Sequence, residues 1–99
     1  MSQSPAFYLV YIVRSPSSSL DDIKKVMNKS LDWFRVNERV WILFTTSDHD
    51  IWYSRLKPLI EDSGSLLVVK LDMNARQGWM TKNFWSWIKE KEKELEDEE

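Results

Sequence analysis

From Phe7 to Val13 every position is apolar, in the run FYLVYIV. A run this short, rich in β-branched and aromatic side chains, predicts a strand buried on both faces, and Ser15, Pro16 and the serines at 17 to 19 end it. The pattern then changes period. Leu20, Ile23, Val26, Met27, Leu31 and Phe34 recur at steps of three and four, which predicts an amphipathic helix with Ser19 as N-cap and Asp21 and Asp22 in its first turn. The next stretch, DWFRVNERVWILFTTS, fits two readings: the helix end followed by one strand, or a strand at 32 to 36, an Asn37-Glu38 turn and a strand at 39 to 46. We favour the hairpin, because a βαβαβ order needs a parallel sheet covered by helices on both faces, and there are too few helices.

Ser47 is the expected N-cap of a second helix, with Asp50 three residues on as in a capping box and Trp52, Leu56, Leu59 and Ile60 as its buried stripe. Pro58 falls inside that stripe and is expected to kink or tighten the last turn, and Asp62, Ser63 and Gly64 end it. LLVVKLD at 66 to 72 reads as the last strand, MNARQGWM at 73 to 80 as a loop, and TKNFWSWIKEKEKELE as a terminal helix with a solvated far end. The order is βαββαβ plus a C-terminal helix, an α+β domain spanning residues 1 to 99 with no visible repeat or linker.

Composition narrows the class. With 99 residues, 42 % apolar and 30 % charged, the chain has the make-up of one folded domain rather than a disordered segment. The net charge of -2 is unevenly spread: residues 89 to 99 hold three lysines against seven carboxylates, leaving the preceding residues at +2. That body lacks the dense basic field of a dedicated nucleic-acid binder, and the acidic tail repels phosphate. The absence of cysteine excludes disulfides, thiolate metal sites and a cysteine nucleophile. The run at 7 to 13 is far below the roughly 20 residues a membrane span needs, and no cation precedes it as in a signal peptide, so a cytoplasmic protein without membrane attachment is expected.

Chemistry-bearing motifs are sparse. His49, the one histidine, stands between Asp48 and Asp50, but adjacent helical residues do not point at one ion, so the trio reads as an acidic first turn. One histidine leaves no hydrolase triad, and two glycines leave no glycine-rich phosphate loop. Neither catalytic residues nor a metal or other cofactor are expected. The six tryptophans cannot all be fully buried in a domain this small, so some are expected at an interface or a ligand. In the 73 to 80 loop, Arg76, Gln77 and Trp79 combine a guanidinium, an amide and a stacking face. Together with Arg14 at the exit of the first strand they form the expected ligand site, suited to a nucleotide or another phosphate-bearing molecule. The competing reading makes Trp79 a core plug above a Gly78 turn.

Several stretches carry a family resemblance: YLVYIV, the pair Trp33-Phe34 before VWILFTTS, RLKPLIEDSGSLLVVKL, the Trp79 loop and FWSWIKE. Over roughly residues 7 to 90 the chain resembles small bacterial proteins labelled "SinR family", which do not look like helix-turn-helix repressors. More distantly it is similar to the CRISPR-associated endonuclease-like proteins of the adaptation complex and to the virulence-associated D proteins. The resemblance implies a ferredoxin-like fold and a homodimer. In such a fold the helices cover one sheet face. Val40, Ile42 and Phe44 with Leu67, Val69 and Leu71 are expected beneath them, leaving Trp41, Leu43 and Thr45 with Leu66, Val68 and Lys70 for the dimer, centred on Trp41, Leu43 and Val68. The nuclease-like relatives carry an aspartate at the end of the first strand. Here Val13 and Arg14 stand there, and an arginine cannot ligate magnesium. The expected function is that of a non-enzymatic homodimer binding a protein or a small phosphate-bearing ligand. The alternative is a degenerate metal-dependent endonuclease.

Overall fold

The computed structural model describes residues 4–97. Seven main elements follow the expected order: β1 (Ala6–Val13), α1 (Leu20–Met27), β2 (Asp32–Arg35), β3 (Val40–Thr45), α2 (His49–Leu56), β4 (Ser65–Lys70) and α3 (Lys82–Asp97). They make an α+β architecture around one antiparallel sheet of order β2-β3-β1-β4. The all-apolar β1 is central, with Leu9 opposite Ile42 on one side and Val69 on the other. Among the described residues no helix is long and apolar enough to cross a membrane.

Local chemistry accounts for the boundaries. Ser19 Oγ accepts from the Asp22 amide while the Asp22 carboxylate accepts from the Ser19 amide, the reciprocal box that starts α1. The helix stops at Met27, earlier than its apolar stripe suggests, because Ser30 Oγ donates to the Met27 and Asp32 carbonyls and turns the chain into β2. Phe34 therefore becomes a strand residue, and Leu31 is exposed. Asn37 Oδ1 accepts from the amides of Arg39 and Val40 and shapes the expected hairpin. The cap of α2 is Asp48 rather than Ser47: its carboxylate accepts from the Ile51 amide, while the Ser47 amide is already held by Thr45 Oγ1. Pro58 tightens the chain after α2 into a 3-10 turn over Lys57–Leu59.

The sheet alternation has the expected period, but the two faces are exchanged. Trp41 and Leu43 join Tyr8, Val10 and Ile12 beneath Ile23 and Met27 of α1 and Trp52 and Leu56 of α2, with Val68 half-buried against the same cluster. Trp41 and Leu43 are thus helix-covered core rather than a free dimer surface. The opposite face holds Phe7, Ile42 and Phe44, and α3 lies over it through Phe84 and Ile88. Period two says which residues share a face. It does not say which face the crossover helices take, nor that a third helix folds back onto the other.

The acidic end is only partly solvated. Lys91 is 7 % exposed, with Nζ 2.8 Å from Asp32 Oδ2, and the Trp87 indole donates to the same oxygen at 3.0 Å. Leu95 packs against the α3-side cluster, while Lys89, Glu90, Lys93, Glu94 and Glu96 face solvent. The last two acidic residues of the tail, 98 and 99, lie outside the described residues.

Gly64 brings the chain into β4 so close to β1 that an added Cβ would stand 2.1 Å from the Val13 carbonyl oxygen. Only glycine fits that approach.

Candidate functional site

The expected site residues divide between the two ends of the sheet. Arg14 leaves β1 at the end where Val13 pairs with Ser65, whereas the loop holding Arg76 leaves β4 where Lys70 pairs with Tyr8. An antiparallel neighbour puts those exits at opposite ends, so Arg14 does not converge with Arg76, Gln77 and Trp79. In the loop, Arg76 Nη1 lies 2.6 Å from Glu92 Oε2 of α3 and its guanidinium stacks 5.6 Å from the Trp85 ring centre. Its charge and its stacking face are both engaged. Gln77 is exposed, and Trp79 is 99 % exposed, which rules out a core plug.

At the β1 exit the fold gathers other arginines instead. β3 is antiparallel to β1 and begins at the end where β1 finishes, so the β2-β3 hairpin sits beside Arg14. The Ile12 amide donates to the Arg39 carbonyl at 2.8 Å, which fixes the hairpin against the strand exit. Arg14, Arg35 and Arg39 thereby border one cleft of about 610 Å³, together with Glu38, Ser15 and Pro16. Its lining also includes half-buried Leu20 of α1 and the edges of buried Ile12 of β1 and Ile23 of α1. The size suits a small organic ligand.

Each part of this cleft is held in place. Arg14 Nη1 donates to the Ser18 carbonyl, drawing the loop after β1 into a turn that the Ser18 amide closes on the Ser15 carbonyl. The Ser15 amide donates to the Leu59 carbonyl at 2.9 Å, so the loop is also tied to the chain after α2. Arg35 Nε donates to the Asn37 carbonyl, and its guanidinium lies 5.3 Å from the ring centre of buried Trp41. Trp41 in turn meets Trp33 edge-on at 4.9 Å. Arg35 and Arg39 escaped notice in the sequence because they flank a turn. The available signal was geometric: once β1 and β3 are antiparallel neighbours, an Arg-x-x-x-Arg spacing across the hairpin falls beside the first strand's exit.

A second hollow of about 380 Å³ lies at the other end of the sheet, between Tyr8, Thr45, Asp48, His49 and Lys70. Burial, and secondarily the Asp48 carboxylate, hold the Tyr8 phenol above its ordinary pKa, so it remains a neutral hydrogen-bonding group at physiological pH. His49 is exposed and 3.6 Å from Asp50. Among the described residues no three His, Cys, Asp or Glu side chains gather as a metal site would require. No family model, curated protein or solved structure matches the chain.

Proposed function

We propose that the chain is a non-enzymatic binding protein of ferredoxin-like topology that works as a homodimer. The strand order β4-β1-β3-β2, with α1 and α2 each joining strands that flank a third, supports the topology. An arginine at the exit of β1, and carboxylates spent on helix caps at Asp22 and Asp48, support binding rather than hydrolysis.

The observation that carries the dimer is the uncovered part of the α3-side sheet face. Leu67 is 57 % and Val69 41 % exposed on β4, beside half-buried Leu9, Tyr11 and Val13 of β1. β4 is also a sheet edge, with β1 as its one strand partner. Apolar side chains next to an unpaired edge are a template for another strand or sheet face. A second copy meeting this surface across a two-fold axis covers both, and a stable interface of that kind buries about 800 Å² per partner. The dimer thus moves from Trp41 and Leu43 to the opposite face of the sheet.

Leu67→Glu is expected to convert a two-chain species into a monomer, with a melting temperature little changed because the side chain is already half in water. Size-exclusion chromatography with light scattering at tens of micromolar reads the mass. A single-chain mass for the wild type would overturn the proposal.

A further inference from the structure

Three arginines, Arg14, Arg35 and Arg39, border one cleft at the β1 exit. Among the described residues, no carboxylate lies within ion-pairing distance of Arg14, Arg35 or Arg39, although Glu38 borders the same cleft. Elsewhere, Arg76 is paired with Glu92, and Lys91 with Asp32 and Glu94, whereas these three arginines share one hollow. Like charges gathered around one hollow repel each other, and an anion placed among them relieves that repulsion.

The arginines are also partly pre-oriented. Arg14 spends one donor on the Ser18 carbonyl and Arg35 one on the Asn37 carbonyl, and the Arg35 guanidinium rests 5.3 Å from the centre of the Trp41 ring. A guanidinium has five N–H donors, so each keeps donors for an oxyanion and can engage phosphate through two parallel bonds. The same lining includes accessible apolar surface, in half-buried Leu20 and exposed Pro16. A cleft lined by both guanidinium groups and apolar side chains matches a molecule with a phosphate at one end and an apolar or planar body at the other.

We propose that this cleft binds a small organic phosphate, with the phosphate among Arg14, Arg35 and Arg39 and the body against Pro16 and Leu20. A long polyanion fits less well. It needs cations along a track, and this chain has a net charge of -2 with an acidic far end to α3. The site requires nothing of the dimer, since Leu67 lies on the opposite face of the sheet.

The test is a titration of ¹⁵N-labelled full-length protein followed by amide and arginine Nε resonances. The probes are ADP, inorganic phosphate, adenosine and a single-stranded oligonucleotide of about 20 nucleotides. ADP is expected to shift residues 12 to 15 and 35 to 39, adenosine to leave them in place, and inorganic phosphate to act on the same residues with weaker affinity. Arg39→Ala removes a guanidinium from an exposed position and should weaken ADP binding by about tenfold or more at an unchanged melting temperature, and Arg14→Ala, which also frees the Ser18 carbonyl, should weaken it as much with a small loss of melting temperature. Rising salt should weaken it further. Shifts confined to the 72 to 80 loop, no response to any phosphate, or indifference of binding to both substitutions would each overturn the site. Phosphate binding as tightly as ADP would overturn the role of the apolar side chains. An oligonucleotide outcompeting ADP would make the cleft a nucleic-acid contact instead.

Discussion

Trp52→Ala is expected to destabilise the protein by about 3–5 kcal/mol, a large part of the roughly 5–15 kcal/mol that holds a typical domain together. Trp52 is fully buried where α2 meets the sheet, and its indole donates to Thr45 Oγ1 at 3.1 Å. Trp41, equally buried beneath the same helices, differs in one respect: its indole nitrogen has no hydrogen-bond partner among the described residues. The two sites therefore respond differently to a milder change. Trp52→Phe loses volume and a hydrogen bond, whereas Trp41→Phe loses volume but also removes a buried donor left without an acceptor. Trp52→Phe should be the more destabilising by about 1–2 kcal/mol in urea unfolding, since an unmade buried hydrogen bond is itself a cost. Equal losses would show that packing alone decides both sites.

The attachment of α3 should be sensitive to pH at both extremes. Burial alone would raise the Asp32 carboxyl, but donors from Lys91, the Trp33 amide and the Trp87 indole outweigh it and hold the group below the usual carboxylate range. For Lys91, burial alone would lower the ammonium, and the bond to Asp32 with the nearby Glu94 charge holds it above its usual value. A depressed carboxyl contributes stability that is present above the ordinary value of about 3.9 and disappears as pH falls through the folded one. A raised ammonium contributes below about 10.4 and stops contributing as pH rises through its folded value. Melting temperature should thus be level in between and fall at either extreme. Asp32→Asn should cost about 1–3 kcal/mol at neutral pH. That is less than a fully buried pair would lose, because the Asp32 side chain is 41 % exposed and water screens it. An Asp32→Asn protein with the same acid slope as the wild type would show that other groups govern it.

Much of this architecture is legible in the order of residues, and the limits are specific. FYLVYIV reads as a strand, though Leu9, Tyr11 and Val13 are only half-covered on its α3 side, and Ser19 with Asp22 reads as a helix start, because both signals lie within a few neighbouring positions. The choice of Asp48 over Ser47 as the α2 cap turns on which of two adjacent side-chain oxygens meets a first-turn amide, and the pattern SDHD does not separate them. Which sheet face Trp41 enters depends on where α1, α2 and α3 come to rest, and no periodicity encodes that. Of the ligand residues anticipated, only Arg14 lies in the arginine cleft. Its companions Arg35 and Arg39 come from the other side of a hairpin, and the grouping with Arg76 failed on strand direction. Six tryptophans announced that some indole would be uncovered, and the 73 to 80 loop offered Trp79 as either a stacking face or a core plug, a choice that the packing of α3 rather than the order of residues decides.

The central place of β1 sets a timetable for synthesis. Its two neighbours are β3 and β4, so the most apolar strand leaves the ribosome before either and waits for its second partner until Ser65–Lys70 has been made. At about 5–20 residues per second that wait lasts seconds, far longer than the microseconds a hairpin such as β2-β3 needs to form. During that interval one edge of β1 has no strand to pair with, and a run of seven apolar residues in that state invites pairing with another chain. The step most exposed to failure is therefore the nascent chain's delay before β4 arrives, and a holdase chaperone or slower initiation should improve yield more than any change to the finished fold.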